Sequence, residues 1–353
     1  MFERRSLPLI LALALVASTC FAQSALLDLP RKSQSAEVTQ TIGITNVTLK
    51  YSRPLVNGRK VWGGLVPYGE VWRAGANENT TISFSDPVTI EGKPLDKGTY
   101  GLFMIPKEDE WTVIFSKTNT AWGAFTYKPD EDVLRVTVKP AASEFHDALL
   151  YDFDDLTPDS ALVTLHWDKL AVPFKVAVNV PQTVEASLQK QFRGIVQYTW
   201  VSYDDAANYF LTAKADLPVG LKYADQSIEA EERYDNLMTK SRILAAMGKP
   251  DEAKKYSDMA LAKANAAQSY QYARQLQRDH KQDEAFAIYR EMAKKYPTNL
   301  YTYAGLARVA VGAGNYDEAV KQMKLCLAAA PDAGKSQIQG LINRLEKKED
   351  INQ

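Results

Sequence analysis

Cysteine is almost missing from this chain: Cys20 and Cys326 are the only two among 353 residues. Cys20 falls in an N-terminal leader, so a processed chain would keep a single thiol. No intramolecular disulfide can then form, and the fold must rest on apolar burial. Histidine is nearly as scarce. His146, His166 and His280 stand far apart in sequence and share no metal-ligand spacing. A charge excess is lacking too, because 42 Lys and Arg face 43 Asp and Glu. That balance leaves no electrostatic footprint for nucleic acid or a membrane surface. There is no glycine-rich phosphate loop, no CxxC pair and no recognisable Ser-His-Asp context, so nothing calls for a cofactor or a metal. Beyond the leader, no apolar run is long enough to cross a bilayer.

The leader itself is well formed. Arg4 and Arg5 precede the apolar run Leu7 to Ala17, and Cys20-Phe21-Ala22 supplies small residues before Gln23. This reads as a secretory signal peptide covering 1–22, with export to a periplasmic or extracellular space. A lipoprotein anchor at Cys20 is not the expectation, because Ala17-Ser18-Thr19 match a lipobox poorly. A linker is expected over 23–36, a β domain over 37–181 and a helical domain over 184–350.

Two hydrophobic periods divide the rest. Thr80–Phe84, Val88–Ile90, Thr99–Ile105, Trp111–Ser116, Val133–Val138, Ala148–Phe153, Leu162–Trp167 and Phe174–Asn179 are short and rich in β-branched and aromatic residues. Trp111, Val113 and Phe115 alternate with Thr112 and Ile114, the period of a half-buried strand. Asn57-Gly58, Glu91-Gly92 and Asp96-Lys97-Gly98 are turn signals. Eight or nine such strands predict an antiparallel β-sandwich or barrel.

Past Pro181 the period becomes helical and an internal repeat emerges. Gly248-Lys-Pro-Asp-Glu-Ala253, His280-Lys-Gln-Asp-Glu-Ala285 and Gly314-Asn-Tyr-Asp-Glu-Ala319 share one frame, with alanines 32 and then 34 residues apart. Ala273 and Ala307 recur 34 apart, as do Pro297 and Pro331. The pattern resembles the tetratricopeptide repeat, so an α-helical solenoid is expected, with small residues letting paired helices approach. Stacked repeats of this kind offer an extended surface to a protein or peptide partner. Cys326 falls at a packing position of a repeat helix, and the many tyrosines of this half read chiefly as filler between helices.

The stretch with most chemistry lies in the β half. "YSRPLVNGRKVWGGLVPYGEVWRAGANENTTISF", "EGKPLDKGTYGLFMIPKEDEWTVIFSK" and "WGAFTYKPDEDVLRV" follow one another. Together, from about Ile42 to Val178, they resemble a bacterial family catalogued as domain of unknown function 2911. That resemblance implies a secreted protein, often carrying helical repeats, and brings no established chemistry.

The residues must therefore speak for themselves. Arg53, Arg59, Tyr68, Glu70, Trp72, Arg73, Asn77 and Glu78 crowd one glycine-punctuated loop before the Thr80 strand. Loops of this composition on a β scaffold carry function. Arg53 and Arg73 could fork onto a carboxylate or phosphate. Trp62, Tyr68 and Trp72 could stack on a sugar, and Asn77 and Glu78 could bond its hydroxyls. The competing reading is a structural plug, held by pairs such as Arg73–Glu78 or Arg53–Glu70, with Trp62 and Trp72 lidding the core.

Three functions follow. The leading expectation is non-catalytic binding of a small polar ligand, a glycan or peptide fragment, with a protein partner on the repeats. An envelope hydrolase or lyase using Glu70 and Glu78 is the enzymatic alternative, and a plain scaffold is the third. The acidic run Asp152 to Asp159 reads as a solvated hairpin rather than a calcium loop, and His166 as a side chain satisfied by a neighbour.

Overall fold

The computed structural model describes residues 29–352. The expected leader and Cys20 lie outside the described residues. Two compact units meet in sequence between Val178 and Asn179.

The first unit is a sandwich, which settles the choice between sandwich and barrel. One sheet has six antiparallel strands in the order β1-β2-β3-β6-β7-β8, the other four in the order β5-β4-β10-β9. The first comprises β1 (Gln34–Ile42), β2 (Thr45–Arg53), β3 (Thr81–Phe84), β6 (Gly98–Ile105), β7 (Trp111–Ser116) and β8 (Asp132–Val138). The second comprises β4 (Val88–Ile90), β5 (Lys93–Leu95), β9 (Ala141–Asp154) and β10 (Ser160–Ala177). β1 begins inside the stretch read as linker. It is a polar edge strand whose only buried residue is Ile42.

Trp111, Val113 and Phe115 point inward as their alternation predicts, and Phe115 meets Phe174 of β10 edge-to-face at 5.8 Å. Ile114, expected on the open face, is also fully buried. The outer face is covered here, because the loop after β7 brings Tyr127 over Phe103, the cross-strand partner of Ile114, at 5.3 Å.

The two strands expected at Leu162–Trp167 and Phe174–Asn179 form one bent strand, β10. Its inward set runs Ala161, Val163, Leu165, Trp167 and then Val172, Phe174, Val176. The parity changes around Asp168, which has a φ of 56° and lies between two register slips against β9. An irregularity that reverses the facing of side chains looks, in sequence, like the end of a strand.

The second unit is helical. Among the described residues it holds α1 (Val180–Gln191), α2 (Trp200–Thr212), α3 (Leu217–Ala230), α4 (Tyr234–Ala246), α5 (Pro250–Lys263), α6 (Ala266–Arg278), α7 (Gln282–Lys295), α8 (Leu300–Gly312), α9 (Tyr316–Ala329) and α10 (Asp332–Glu346). The repeat alanines Ala253, Ala285 and Ala319 open α5, α7 and α9 and are buried, as are Ala273 and Ala307 on α6 and α8. Tyr289 and Met323 fill the crossings, and Cys326 is 2 % exposed. Burial pushes that thiol's pKa upward, away from reactivity.

Candidate functional site

The loop between β2 and β3 closes one end of the sandwich over a tryptophan cluster. Trp62 packs edge-to-face on Trp111 at 4.9 Å and on Trp167 at 5.6 Å, while Trp72 stacks on Trp167 at 5.9 Å. Trp72 is fixed further by a backbone bridge to Met104 and by its indole N–H, which donates to the Gly75 carbonyl at 3.2 Å. Trp62 is 7 % exposed. Of the two readings open for these indoles, stacking faces or lids on the core, this packing is that of lids.

Most of the remaining candidates are engaged by the protein itself. Arg53 donates from Nε to the Leu149 carbonyl at 2.8 Å. Arg59 folds back onto the carbonyls of Val56 and Leu55. Asn77 donates to the Ser33 carbonyl at 2.9 Å, and Glu78 is paired with Arg31. These two side chains thus fasten the segment leading into β1. Neither Arg53–Glu70 nor Arg73–Glu78 pairs among the described residues. Tyr68 is 40 % exposed and lies across Gly63, and Glu70 is exposed. Two surface grooves border Glu78. One, of about 330 Å³, is lined by Lys50, Tyr51 and Asn79 among others, and a second, of about 620 Å³, by Arg31 and Gln34.

Arg73 stands apart. It is half-buried, and its Nε, shielded from solvent, has no acceptor among the described residues. Burial lowers its guanidinium pKa, the expected sign for a desolvated cation lacking a counter-charge. The backbone that presents it is held firmly. Ala74 adopts a φ of 51°, and its carbonyl accepts from Thr80 Oγ1 at 3.1 Å and from the buried Tyr151 hydroxyl at 2.9 Å. Left-handed backbone at a non-glycine residue persists where surrounding bonds enforce it.

What lies beside Arg73 was not singled out from sequence. The loop 117–128 runs against it, tied by Asn79 N–H to the Ala121 carbonyl at 2.9 Å and by a bridge between Glu78 and Trp122. A Cβ on Gly123 would lie 2.7 Å from the Phe125 ring and 3.4 Å from Arg73 Nη1. Glycine therefore lets ring and guanidinium close on one point. Trp122 is 57 % and Phe125 87 % exposed. The loop's far end is pinned, since the Tyr127 hydroxyl donates to Asp132 at 2.7 Å, and burial with that bond pushes its pKa up to about 12. The available signal was two aromatics around Gly123-Ala124, small residues with no strand period.

The histidines also gained a neighbour. Pairing of β9 with β10 brings the His146 and His166 rings to 5.0 Å, and His166 Nε2 lies 3.6 Å from Asp154. Among the described residues, no group of three or more His, Cys, Asp or Glu side chains is placed to hold a metal ion. Asp152 and Asp154 end β9, and Thr157 Oγ1 bonds Asp159 at 2.8 Å within the connecting turn.

Residues 33–176 match the family model described as protein of unknown function, DUF2911. That match spans nearly the whole β unit. Residues 276–345, in the helical unit, match a tetratricopeptide repeat model. Among solved structures, the chain is similar to YrrB, a tetratricopeptide repeat protein with an unusual peptide-binding site. Identity is 15 % and the TM-score 0.30, over 48 % of this chain and 84 % of that one. It is also similar to a tetratricopeptide repeat protein from Parabacteroides merdae ATCC 43184, at 12 % identity and a TM-score of 0.31, over 48 % and 69 %. No curated protein matches the chain.

Proposed function

We propose that the chain is an exported binding protein whose β domain takes a small polar ligand at Arg73 and whose repeats hold a protein partner. One observation carries the ligand half: a half-buried guanidinium whose Nε has no partner among the described residues, beside two exposed aromatic side chains. Leaving a shielded polar group unpaired costs about 1–3 kcal/mol, and more when the group is charged. A ligand carboxylate would remove that cost, because guanidinium and carboxylate match as a planar fork. Phe125 and Trp122 would then cover the body of the same molecule, a glycan acid or a peptide fragment.

Glu78 does not favour catalysis. The hydrogen bond from Arg31 lowers the Glu78 pKa, opposite to the tuning of a general acid working near neutral pH. The partner half rests on the repeats, whose helix pairs build a continuous lateral surface.

A thermal-shift series with sugar acids and muropeptides tests the ligand half. A ligand at 100-fold its Kd stabilises the folded form by about 2.7 kcal/mol. Arg73→Ala and Phe125→Ala should each abolish that shift, while Arg59→Ala should retain it. Ligand shifts that persist in both the Arg73 and Phe125 variants would rule out this site.

A further inference from the structure

After α10 the chain turns back onto the helical unit and enters a recess between α6 and α8. Lys348, at a φ of 59°, makes the reversal, with its N–H and that of Glu349 donating to the Leu345 and Arg344 carbonyls. Arg344 then clasps the departing segment, donating to Glu349 at 3.0 Å and to the Asp350 carbonyl at 2.7 Å. Ile351 ends 2 % exposed, among the apolar side chains of α8, α9 and α10.

The recess is polar where it need not be if it only sealed a core. Arg308 of α8 is 5 % exposed and has no carboxylate partner among the described residues. Its guanidinium donates instead to the Ile351 carbonyl and, at 3.1 Å, to the Tyr270 hydroxyl. Gln277 of α6 is 6 % exposed and donates to the Asn352 side-chain oxygen at 2.8 Å, while its own oxygen accepts from Arg274 at 2.8 Å and Tyr289 at 3.0 Å. The Asn352 side-chain nitrogen donates to the Arg308 carbonyl at 3.1 Å. A main-chain carbonyl, an apolar side chain and both ends of a primary amide are thus each met by a matching group. This is how a protein reads an extended peptide. A buried cation is retained most readily where it has such oriented acceptors to meet.

We infer that the recess between α6 and α8 is a peptide-binding groove for an extended segment carrying an aliphatic residue followed by Asn. The chain's own Glu349–Asn352 segment occupies it as an internal stopper. The partner role rests on the reading of the repeats as an interaction surface; the groove and its present occupant do not. Asp in place of Asn would set a carboxylate against the Arg308 carbonyl, so the amide is a specificity element. A partner segment must displace the stopper, which weakens its apparent affinity by the fraction of time the groove is open.

The test uses a fluorescent, end-blocked peptide copying residues 347–353 and the full chain with and without residues 349–353. The shortened protein should bind the peptide, and the full chain at least tenfold more weakly. Replacing Asn by Asp in the peptide should weaken binding at least fivefold, and Gln277→Ala in the shortened protein should do the same. A shortened protein that keeps its helical circular dichroism and cooperative melt yet binds no peptide would overturn the groove. Equal binding by both forms would overturn the stopper. If the shortened protein does not fold, Asn352→Ala in the full chain supplies the comparison: it should raise peptide binding severalfold, and no rise would count against the inference. Because the probe is the chain's own sequence, failure here is distinct from failure to find a natural partner.

Discussion

At the scale of single residues, the repeat frame makes an unusual prediction about His280. The turns before α5 and α9 place Gly248 and Gly314 at φ near 74° and 73°, and His280 occupies the same slot before α7 at 61°. A left-handed residue with a Cβ costs about 1–2 kcal/mol, while glycine gives back part of that through its freer unfolded chain. His280→Gly is therefore expected to stabilise by about 0.5–1 kcal/mol, seen as a higher urea midpoint at unchanged slope. A lower midpoint would mean that the imidazole makes a contact outweighing its backbone strain. The slot was legible from sequence because the frame Asp-Glu-Ala follows it at constant spacing. Arg73 and Asn77 had no such frame. In an irregular loop no period fixes where a side chain points, so composition marked the stretch without telling which members turn inward.

At the scale of elements, helix crossings and strand faces were readable wherever a period ran unbroken. The small residues of α6 and α8 announced close approach, and α8 shows how close: a Cβ on Gly305 would lie 2.5 Å from the Tyr289 ring. Gly340 on α10 has nothing among the described residues within 4 Å of the same point. These two glycines predict opposite outcomes for one substitution. Gly305→Ala should destabilise by about 1–3 kcal/mol through overpacking, whereas Gly340→Ala should stabilise by about 0.5–1 kcal/mol by improving helix propensity. Chemical melts of the two variants decide it, and equal effects would refute the crossing geometry. β10 illustrates where reading stopped, since the irregularity at Asp168 reverses parity without a Gly-Pro signal. The loop 117–128 went unread for a related reason: its burial of Ile114 is a tertiary event, imposed on a strand whose own pattern left that face open.

At the scale of the molecule, each unit keeps its own core and its own candidate site, and the sequence boundary between them is clean. Val178 ends the first unit by donating to the Asp159 carbonyl at 2.8 Å, and Asn179 begins the second by capping α1 through Gln182 N–H at 3.3 Å. Cutting between these two residues leaves the terminal hydrogen bond with the sandwich and the cap with the helix, where an Asn cap contributes about 1 kcal/mol. Fragments 23–178 and 179–353 should therefore each fold alone, with native near-ultraviolet circular dichroism and a single cooperative melt. Stabilisation by carboxylated ligands should follow the first fragment and vanish with Arg73→Ala. Peptide binding should follow the second and rise when residues 349–353 are removed. A fragment that collapses without fixed tertiary packing would show that its core is closed by the other unit. Ligand effects appearing in the wrong fragment would move the site away from Arg73, whatever the fate of the groove between α6 and α8.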